Sequence, residues 1–343
     1  MDSSKRKCRI VIDVMGGDFA PGNNILGIRQ VLEESQNLRN NLQIILAGKK
    51  AEIEKSAAEH KLDLSKVEIL DCDDVIEMSD SPVQAVRVKK ESSIVKGMYY
   101  VKEGNADAFV SAGNTGAMMA ASTFILGRIP GVERPTIGTM LPNVYGVCAV
   151  FDAGANVDAK PHHLVEHAVL GSIFAHEILN KPNPTVGLLN VGEEEGKGNE
   201  VVKKAHELLK ETKLNFVGNV EGKDILKSNI DVVVCDGFIG NIVLKFAEGV
   251  IVLLKHLIKS YADASLTNKL KIGLVKNSFR EIFSDLNYEK YGGVPLLGVN
   301  HISIIGHGSS SPLAIKNMIL KAAEMHEKDL INKLKEAVKA HLG

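Results

Sequence analysis

Apolar positions along the chain fall into short, largely β-branched runs separated by longer stretches with helical spacing. The runs cover residues 10–14, 43–47, 67–70, 108–111, 136–140, 147–151, 186–190, 215–217, 231–235 and 302–305. Short runs with little polar alternation are the pattern of strands buried on both faces, and the intervening stretches supply the helices that bury them. The pattern predicts an α/β fold in three layers, α/β/α, around a largely parallel sheet. Residues 239–259 predict a helix apolar over much of its circumference. Residues 261–283 set leucines and phenylalanines among Lys269, Lys271, Lys276 and Arg280, the composition of a basic amphipathic helix. Residues 312–342 read as one long charged helix with an apolar stripe.

Five strands run into glycine-rich turns: Met15-Gly16-Gly17-Asp18, Ser111-Ala112-Gly113-Asn114-Thr115-Gly116, Asn190-Val191-Gly192, Asp236-Gly237-Phe238-Ile239-Gly240-Asn241 and Gly306-His307-Gly308-Ser309-Ser310. In a parallel sheet such turns leave from one carboxyl edge, where open α/β folds bind ligands, so all five are expected to meet in one cleft. Glycine lets backbone approach a ligand closely, and free N–H groups at a helix start favour an anion. A single turn of this kind is more often only a tight connection. Five together, carrying Asn, Thr, Ser and His beside the glycines, point to phosphate.

Composition narrows the options. With 45% hydrophobic residues the 343-residue chain can bury a sizeable core, and no repeat or Pro/Ser-rich linker divides it. We read residues 8–343 as one domain, with 239–283 as a protruding amphipathic helical segment. Lysine plus arginine (41) balances aspartate plus glutamate (42), leaving no basic field to gather nucleic acid. The amino terminus has no apolar signal core and no apolar run approaches a membrane span, so a cytoplasmic location is expected. Cys8, Cys72, Cys148 and Cys235 are isolated, without a CxxC pair, and read as reduced core residues.

Several motifs come close to known chemistries and fall short. Gly192 to Gly198 resembles a Walker loop but is one spacer short and places three glutamates where phosphates would need positive surroundings. Gly306-His307-Gly308 lacks the third glycine of a dinucleotide fingerprint and lies near the end of the chain. His163, Glu166 and His167 match the inverted zinc-protease pattern HxxEH, without a third ligand to name. No GxSxG elbow supplies a nucleophile. Arg87, Lys89, Lys90, Ser92 and Ser93 form a basic, hydroxyl-rich patch in which Arg87 and Lys90, three apart, can face one anion.

Taken in order, the segments DVMGGDFAPG (13–22), SAGNTGAMMA (111–120), GRIPGVERPTIGTMLP (127–142), DAGANVDAKP (152–161), VGLLNVGEEEGKGNE (186–200), VGNVEG (217–222), DVVVCDGFIGNIVLK (231–245), YGGVPLLGVN (291–300) and GHGSS (306–310) closely resemble the acyl carrier protein:phosphate acyltransferases of bacterial phospholipid synthesis. The resemblance runs almost end to end. It implies transfer of a long-chain acyl group from acyl carrier protein to inorganic phosphate, a fold akin to isocitrate and isopropylmalate dehydrogenases and to phosphotransacetylase, and a homodimer. It also implies handover of acyl phosphate to a membrane acyltransferase. Neither a cofactor nor a metal is called for.

Such chemistry suits a site without a triad, because phosphate is itself the nucleophile and a thioester is already activated. On that basis Asn114, Thr115, Asn241, Ser309 and Ser310 are expected to cradle phosphate with the N–H groups of Gly113, Gly116, Gly240 and Gly308, while Lys197 or Lys90 offsets its charge. His307 would polarise the carbonyl or protonate the departing thiolate; Asp18 and Asp236 would orient donors. Lys269, Lys271, Lys276 and Arg280 would meet the acidic carrier protein or an anionic membrane surface at its periphery. The alternatives are a phosphotransacetylase-like enzyme using short acyl-CoA, a nicotinamide-dependent dehydrogenase, and a non-catalytic phosphate or carrier binding protein.

Overall fold

The computed structural model describes residues 7–34, 41–285 and 292–342. Eleven strands form one sheet: β1 Cys8–Asp13, β2 Leu42–Gly48, β3 Glu68–Asp71, β4 Ala108–Ser111, β5 Thr136–Asn143, β6 Gly146–Phe151, β7 Thr185–Leu189, β8 Asn215–Val220, β9 Val232–Val234, β10 Val294–Leu297 and β11 Ile302–Ile305. The helices are α1 Gly22–Glu33, α2 Lys50–Glu59, α3 Pro82–Val88, α4 Ser93–Lys102, α5 Thr115–Ala121, α6 Pro161–Ile178, α7 Glu200–Lys210, α8 Asp224–Lys227, α9 Gly237–Asp263, α10 Leu266–Asp285, α11 Pro312–Glu327 and α12 Leu330–Leu342. The helix expected over 312–342 is therefore broken, at Lys328 and Asp329, where Asp329 takes a left-handed conformation (φ 53°) that ends regular winding.

Strand alternation builds the layers. Ile10 and Ile12 of β1 belong to the core shared with α1, α11 and α12, whereas Val11 between them belongs to the core shared with α3 and α4 on the other face. All three side chains are buried, each contributing about 1.5–3 kcal/mol of transfer free energy. Such double-sided burial explains why the strands read as unbroken apolar runs.

The strand order is β3-β2-β1-β4-β11-β10-β5-β6-β9-β7-β8. The sheet is parallel on both flanks and antiparallel at the three central pairings, β11 with β10, β10 with β5, and β5 with β6. The two flanks consequently run in opposite directions, which corrects the expectation of a single carboxyl edge. Register restores the convergence by another route. Pro295 pairs with Ile304, the adjacent Leu296 pairs with Ile137, and Gly138 pairs with Phe151. The carboxyl end of β6 thus lies level with the carboxyl end of β11, and loops from the two flanks meet from opposite sides at the middle of the sheet.

Helices α9 and α10 form a hairpin. Only Gly237 and Gly240 of α9 are buried, and Phe246, Val252, Leu257, Leu266, Leu270 and Leu274 are exposed. By length and composition α9 could cross a membrane, so the expectation that no segment reaches span length is corrected on that criterion. The charged Lys245 and Glu248 line a cavity at its amino-terminal end.

Candidate active site

The left wall of the site is two glycine loops locked face to face. Asp13, buried at the end of β1, accepts hydrogen bonds from the Ser111 hydroxyl (2.6 Å) and the Met15 N–H (3.1 Å), and Ser111 Oγ in turn accepts from the Gly113 N–H (2.9 Å). Burial raises the Asp13 pKa, against the lowering effect of the Ser111 bond. Asn24 closes the first loop by donating to the Val14 and Gly16 carbonyls at 3.0 and 2.9 Å. Gly16 is required here: a Cβ would lie 2.7 Å from the Gly113 nitrogen.

The right wall is organised by Asp152, just after β6. Its two oxygens accept the N–H groups of Gly154 (3.1 Å), Ala155 (2.9 Å) and Asn156 (2.7 Å) and the Asn156 side-chain amide (2.7 Å), folding residues 152–156 into a compact loop. Helix α9 is laid on that loop. Asp236 caps it by accepting from the Ile239 N–H at 2.8 Å, and the Gly237 N–H donates to the Asn156 carbonyl at 2.8 Å. The next turn comes so close that a Cβ on Gly240 would stand 1.9 Å from the Asp152 carbonyl oxygen.

The third component follows β11. The Ser309 N–H donates to His307 Nδ1 at 3.2 Å and the Ser309 hydroxyl lies 2.8 Å from the same atom. A ring nitrogen that accepts a backbone N–H carries no proton, so the neutral His307 ring holds its hydrogen on Nε2. Ser310 donates its hydroxyl to the His307 carbonyl at 2.6 Å, and the Asp18 N–H donates to the Gly308 carbonyl at 2.7 Å, which joins this loop to the first.

Between these walls lies a cavity of about 420 Å³. Its body is apolar, with Met78, Ile137, Met140, Leu244, Ile305 and Met318, and its polar lining includes Asp18, Thr115, Thr139, Asn241, His307 and Ser310. Lys245 also lines it but is paired with Glu248 at 2.9 Å. Of the residues singled out in the sequence, His307, Asn241, Thr115, Gly308, Ser310 and Asp18 line this cavity. Ser309 lies behind His307, Gly113 and Gly240 are packing positions, and Asp236 is the helix cap.

Other candidates lie elsewhere. Asn114 is buried, with Oδ1 capping α5 through the Ala117 N–H (3.0 Å) and Nδ2 donating to the carbonyls of Glu77, Met78 and Asp80 at 3.1, 3.3 and 3.2 Å. It carries Met78 to the cavity rather than lining it. Lys90 is exposed beyond α3, whereas its neighbour Lys89 braces the same loop through Asp80 at 2.7 Å. Lys197 is exposed on the loop after β7, outside the cavity lining. Lys269, Lys271 and Lys276 are exposed on α10; the Arg280 side chain and Gly343 lie outside the described residues.

A second cavity, of about 800 Å³, lies across a thin partition from the first. Gly116, Pro135, Ala155, Asn156 and Leu296 line it, while their near neighbours Thr115, Ile137, Gly154 and Val294 line the first, so the same segments of chain border both cavities. Thr123, Arg128, Arg134, Lys160, Glu133 and His163 complete its polar lining. His163 Nδ1 accepts the Lys160 N–H at 3.0 Å, so its Nε2 donates to Glu133 at 3.1 Å; a metal at Nε2 would have to displace that proton. Glu166 accepts the N–H groups of Glu133 and Arg134 at 3.0 and 3.1 Å, and His167 is fully buried. The HxxEH residues therefore brace a turn. The four cysteines are buried, and burial pushes the Cys72 and Cys148 thiols up to about 12, far from nucleophilic use.

Sequence reasoning did not single out Asp13, Ser111 or Asp152 as site residues. Their signal is an acid or hydroxyl at a strand end directly before a glycine turn, where free N–H groups need an acceptor.

A family model described as "Fatty acid synthesis protein" matches residues 8–333. The chain is 44% identical over 332 residues to the phosphate acyltransferase of Halothermothrix orenii, covering 96% of this chain and 98% of the relative. It is 46% identical over 333 residues to the phosphate acyltransferase of Caldicellulosiruptor saccharolyticus, covering 97% and 98%. Among solved structures, a phosphotransacetylase from Streptococcus pyogenes superposes with a TM-score of 0.61 at 18% identity, covering 93% of this chain and 94% of that one. The EutD phosphotransacetylase from Staphylococcus aureus does so with a TM-score of 0.60 at 15% identity, with the same coverages. The likeness to these two structures is one of fold.

Proposed function

The chain belongs to the phosphate acyltransferase family, and from that membership we propose that it transfers a long-chain fatty acyl group from acyl carrier protein to inorganic phosphate, forming acyl phosphate for phospholipid synthesis. The observation that carries the reading is an apolar cavity whose polar groups come from the segments after β1, β4, β9 and β11, with Thr139 of β5. An acyl chain fits the methionine- and leucine-lined body, leaving the thioester carbonyl at the polar lining. A phosphate oxygen then attacks the carbonyl carbon; the new C–O bond forms and the C–S bond breaks. The Nε2–H of His307 is suited to polarise the carbonyl oxygen or to protonate the departing thiolate. Thr115, Asn241, Gly308 and Ser310 are placed to orient the attacking phosphate, with Asp18 and Asp236 holding loops rather than proton traffic.

Residues 8–343 act in this reading as one catalytic domain on a sheet akin to that of isocitrate and isopropylmalate dehydrogenases. The hairpin α9–α10 is the surface for its other contacts. Lys269, Lys271 and Lys276 give it positive charge for the acidic carrier protein, and its exposed leucines suit a second copy in a homodimer or the periphery of an anionic membrane beside the acyltransferase that consumes acyl phosphate. The same reading places the protein in the cytoplasm. A short acyl-CoA substrate is disfavoured by the apolar depth of the cavity. Filling that depth tests the assignment: Leu244→Trp should lower kcat/KM for a palmitoyl donor by about tenfold or more, equivalent to about 1.4 kcal/mol, and leave a butyryl donor within about threefold. Equal losses on both donors would contradict it.

A further inference from the structure

The one lysine of the apolar cavity is not free to meet a second phosphate group. Lys245 is already paired with Glu248, and Asp18 and Glu248 add negative charge to the same lining. Positive charge is concentrated across the partition instead. Arg128, Arg134 and Lys160 line the larger cavity, where Glu133 is the sole acid among the lining residues. Glu133 is itself engaged, with Oε2 3.0 Å from His162 Nε2 and 3.1 Å from His163 Nε2. Among the described residues no carboxylate lies within ion-pair distance of Arg128, Arg134 or Lys160.

The wall that presents these cations is rigidly held. The buried Glu166 carboxylate fixes the backbone of Glu133 and Arg134. Arg128 donates to the Glu133 carbonyl at 2.6 Å, and the Asn300 side chain holds the Arg128 carbonyl at 2.9 Å. Asn156 spans to the Pro135 carbonyl at 2.8 Å and to Asp152, so the cationic turn and the 152–156 loop are one hydrogen-bonded unit. His163, buried and neutral in its contact with the Lys160 backbone, sets the start of α6 beside Lys160. Arg128 and Arg134 on a braced turn and Lys160 in the same solvent-open cavity suit a phosphate group.

We propose that the cavity lined by Arg128, Arg134 and Lys160 binds the phosphate group of the acyl donor, the phosphodiester of the carrier's pantetheine arm, beside the chamber that holds the acyl chain and the attacking phosphate. The proposal rests on the acyl-transfer reading for its role, but not for its detection. Inorganic phosphate shares this chemistry, and the test separates the two. Thr115 lines one chamber and its neighbour Gly116 the other, so a donor can reach both.

The test is calorimetric titration of the full chain with inorganic phosphate and, separately, with 4′-phosphopantetheine, in the parent protein, Arg134→Gln and Lys160→Gln. Both positions are exposed, and thermal melting checks that each variant is folded. Loss of one charge-assisted contact should weaken binding by about tenfold or more. Weakened phosphopantetheine binding supports the assignment to the donor; weakened inorganic phosphate binding with phosphopantetheine binding unchanged would contradict it. If the parent binds neither probe, or if both folded variants bind both probes within about twofold of the parent, the proposal is overturned. A parent that binds a probe but makes no acyl phosphate would instead refute the acyl-transfer reading.

Discussion

Asn114 is tied to Met78: its Nδ2 donates to the Met78 carbonyl at 3.3 Å while its Oδ1 caps α5. This places its effect on the fold as much as on the ligand, in contrast to Asn241, which is exposed in the cavity lining. Asn114→Ala should lose about 1–3 kcal/mol of stability, from the lost cap and the carbonyls of residues 77, 78 and 80. Asn241→Ala should change stability by less than about 0.5 kcal/mol and raise KM for phosphate. Urea midpoints and phosphate saturation curves on both variants check the contrast; unchanged saturation in Asn241→Ala would remove Asn241 from the phosphate cradle.

Gly240→Ala is expected to be far more damaging than a one-methyl change normally is. The new Cβ would meet the Asp152 carbonyl, a backbone atom on a loop already fixed by its own carboxylate. A loss of about 1–3 kcal/mol or more should appear in equilibrium unfolding, with the start of α9 displaced. A stability equal to that of the parent would show that α9 moves off the loop freely.

His167 should make stability fall in acid. Burial holds its pKa at about 4, well below its ordinary 6.5, with the Asp152 charge opposing. The folded state therefore refuses a proton that the unfolded chain takes up. The stabilisation is complete above pH 6.5 and is lost as pH falls towards 4. Urea unfolding at pH 7.0 and 5.0 should show a drop that is smaller in His167→Leu; equal drops would assign the acid sensitivity to other groups.

The hairpin offers a separable surface. Leu270→Glu combined with Leu274→Glu changes two exposed side chains of α10, 69% and 88% accessible, away from the cavity lining. Flotation with phosphatidylglycerol vesicles should be lost while acyl transfer in solution stays within about twofold. Undiminished flotation would remove the membrane contact from the account, and a change in sedimentation mass would assign the face to a second copy.

Ten of the eleven described strands were legible, most of them because their side chains are buried on both faces, so burial overwhelms alternation; β3 and β8, at the two edges of the sheet, are largely unburied. β10 was not, since Pro295 interrupts a four-residue run beside two glycines and reads as a turn, although β11 and β5 flank it on both sides. Missing that strand also hid the reversal of direction at the centre. The loops still converge because register, which no local pattern encodes, sets Phe151 level with the end of β11. At the site, glycines and histidine stood out by type, whereas Asp13, Asp152 and Glu166 act through backbone N–H groups brought to them by folding. Lys197 and Lys90 were chosen for their charge, and the cations that gather at a cavity, Arg128, Arg134 and Lys160, come from segments whose sequence shows no basic cluster.

The central claim is acyl transfer to free phosphate, and trapping the product tests it most directly. The protein is incubated with palmitoyl acyl carrier protein and inorganic phosphate, and acyl phosphate is captured by hydroxylamine as palmitoyl hydroxamate. The account predicts hydroxamate that requires phosphate and falls in Asn241→Ala and His307→Ala. Product only from a short acyl-CoA, or none from the palmitoyl carrier at any phosphate concentration, would contradict it.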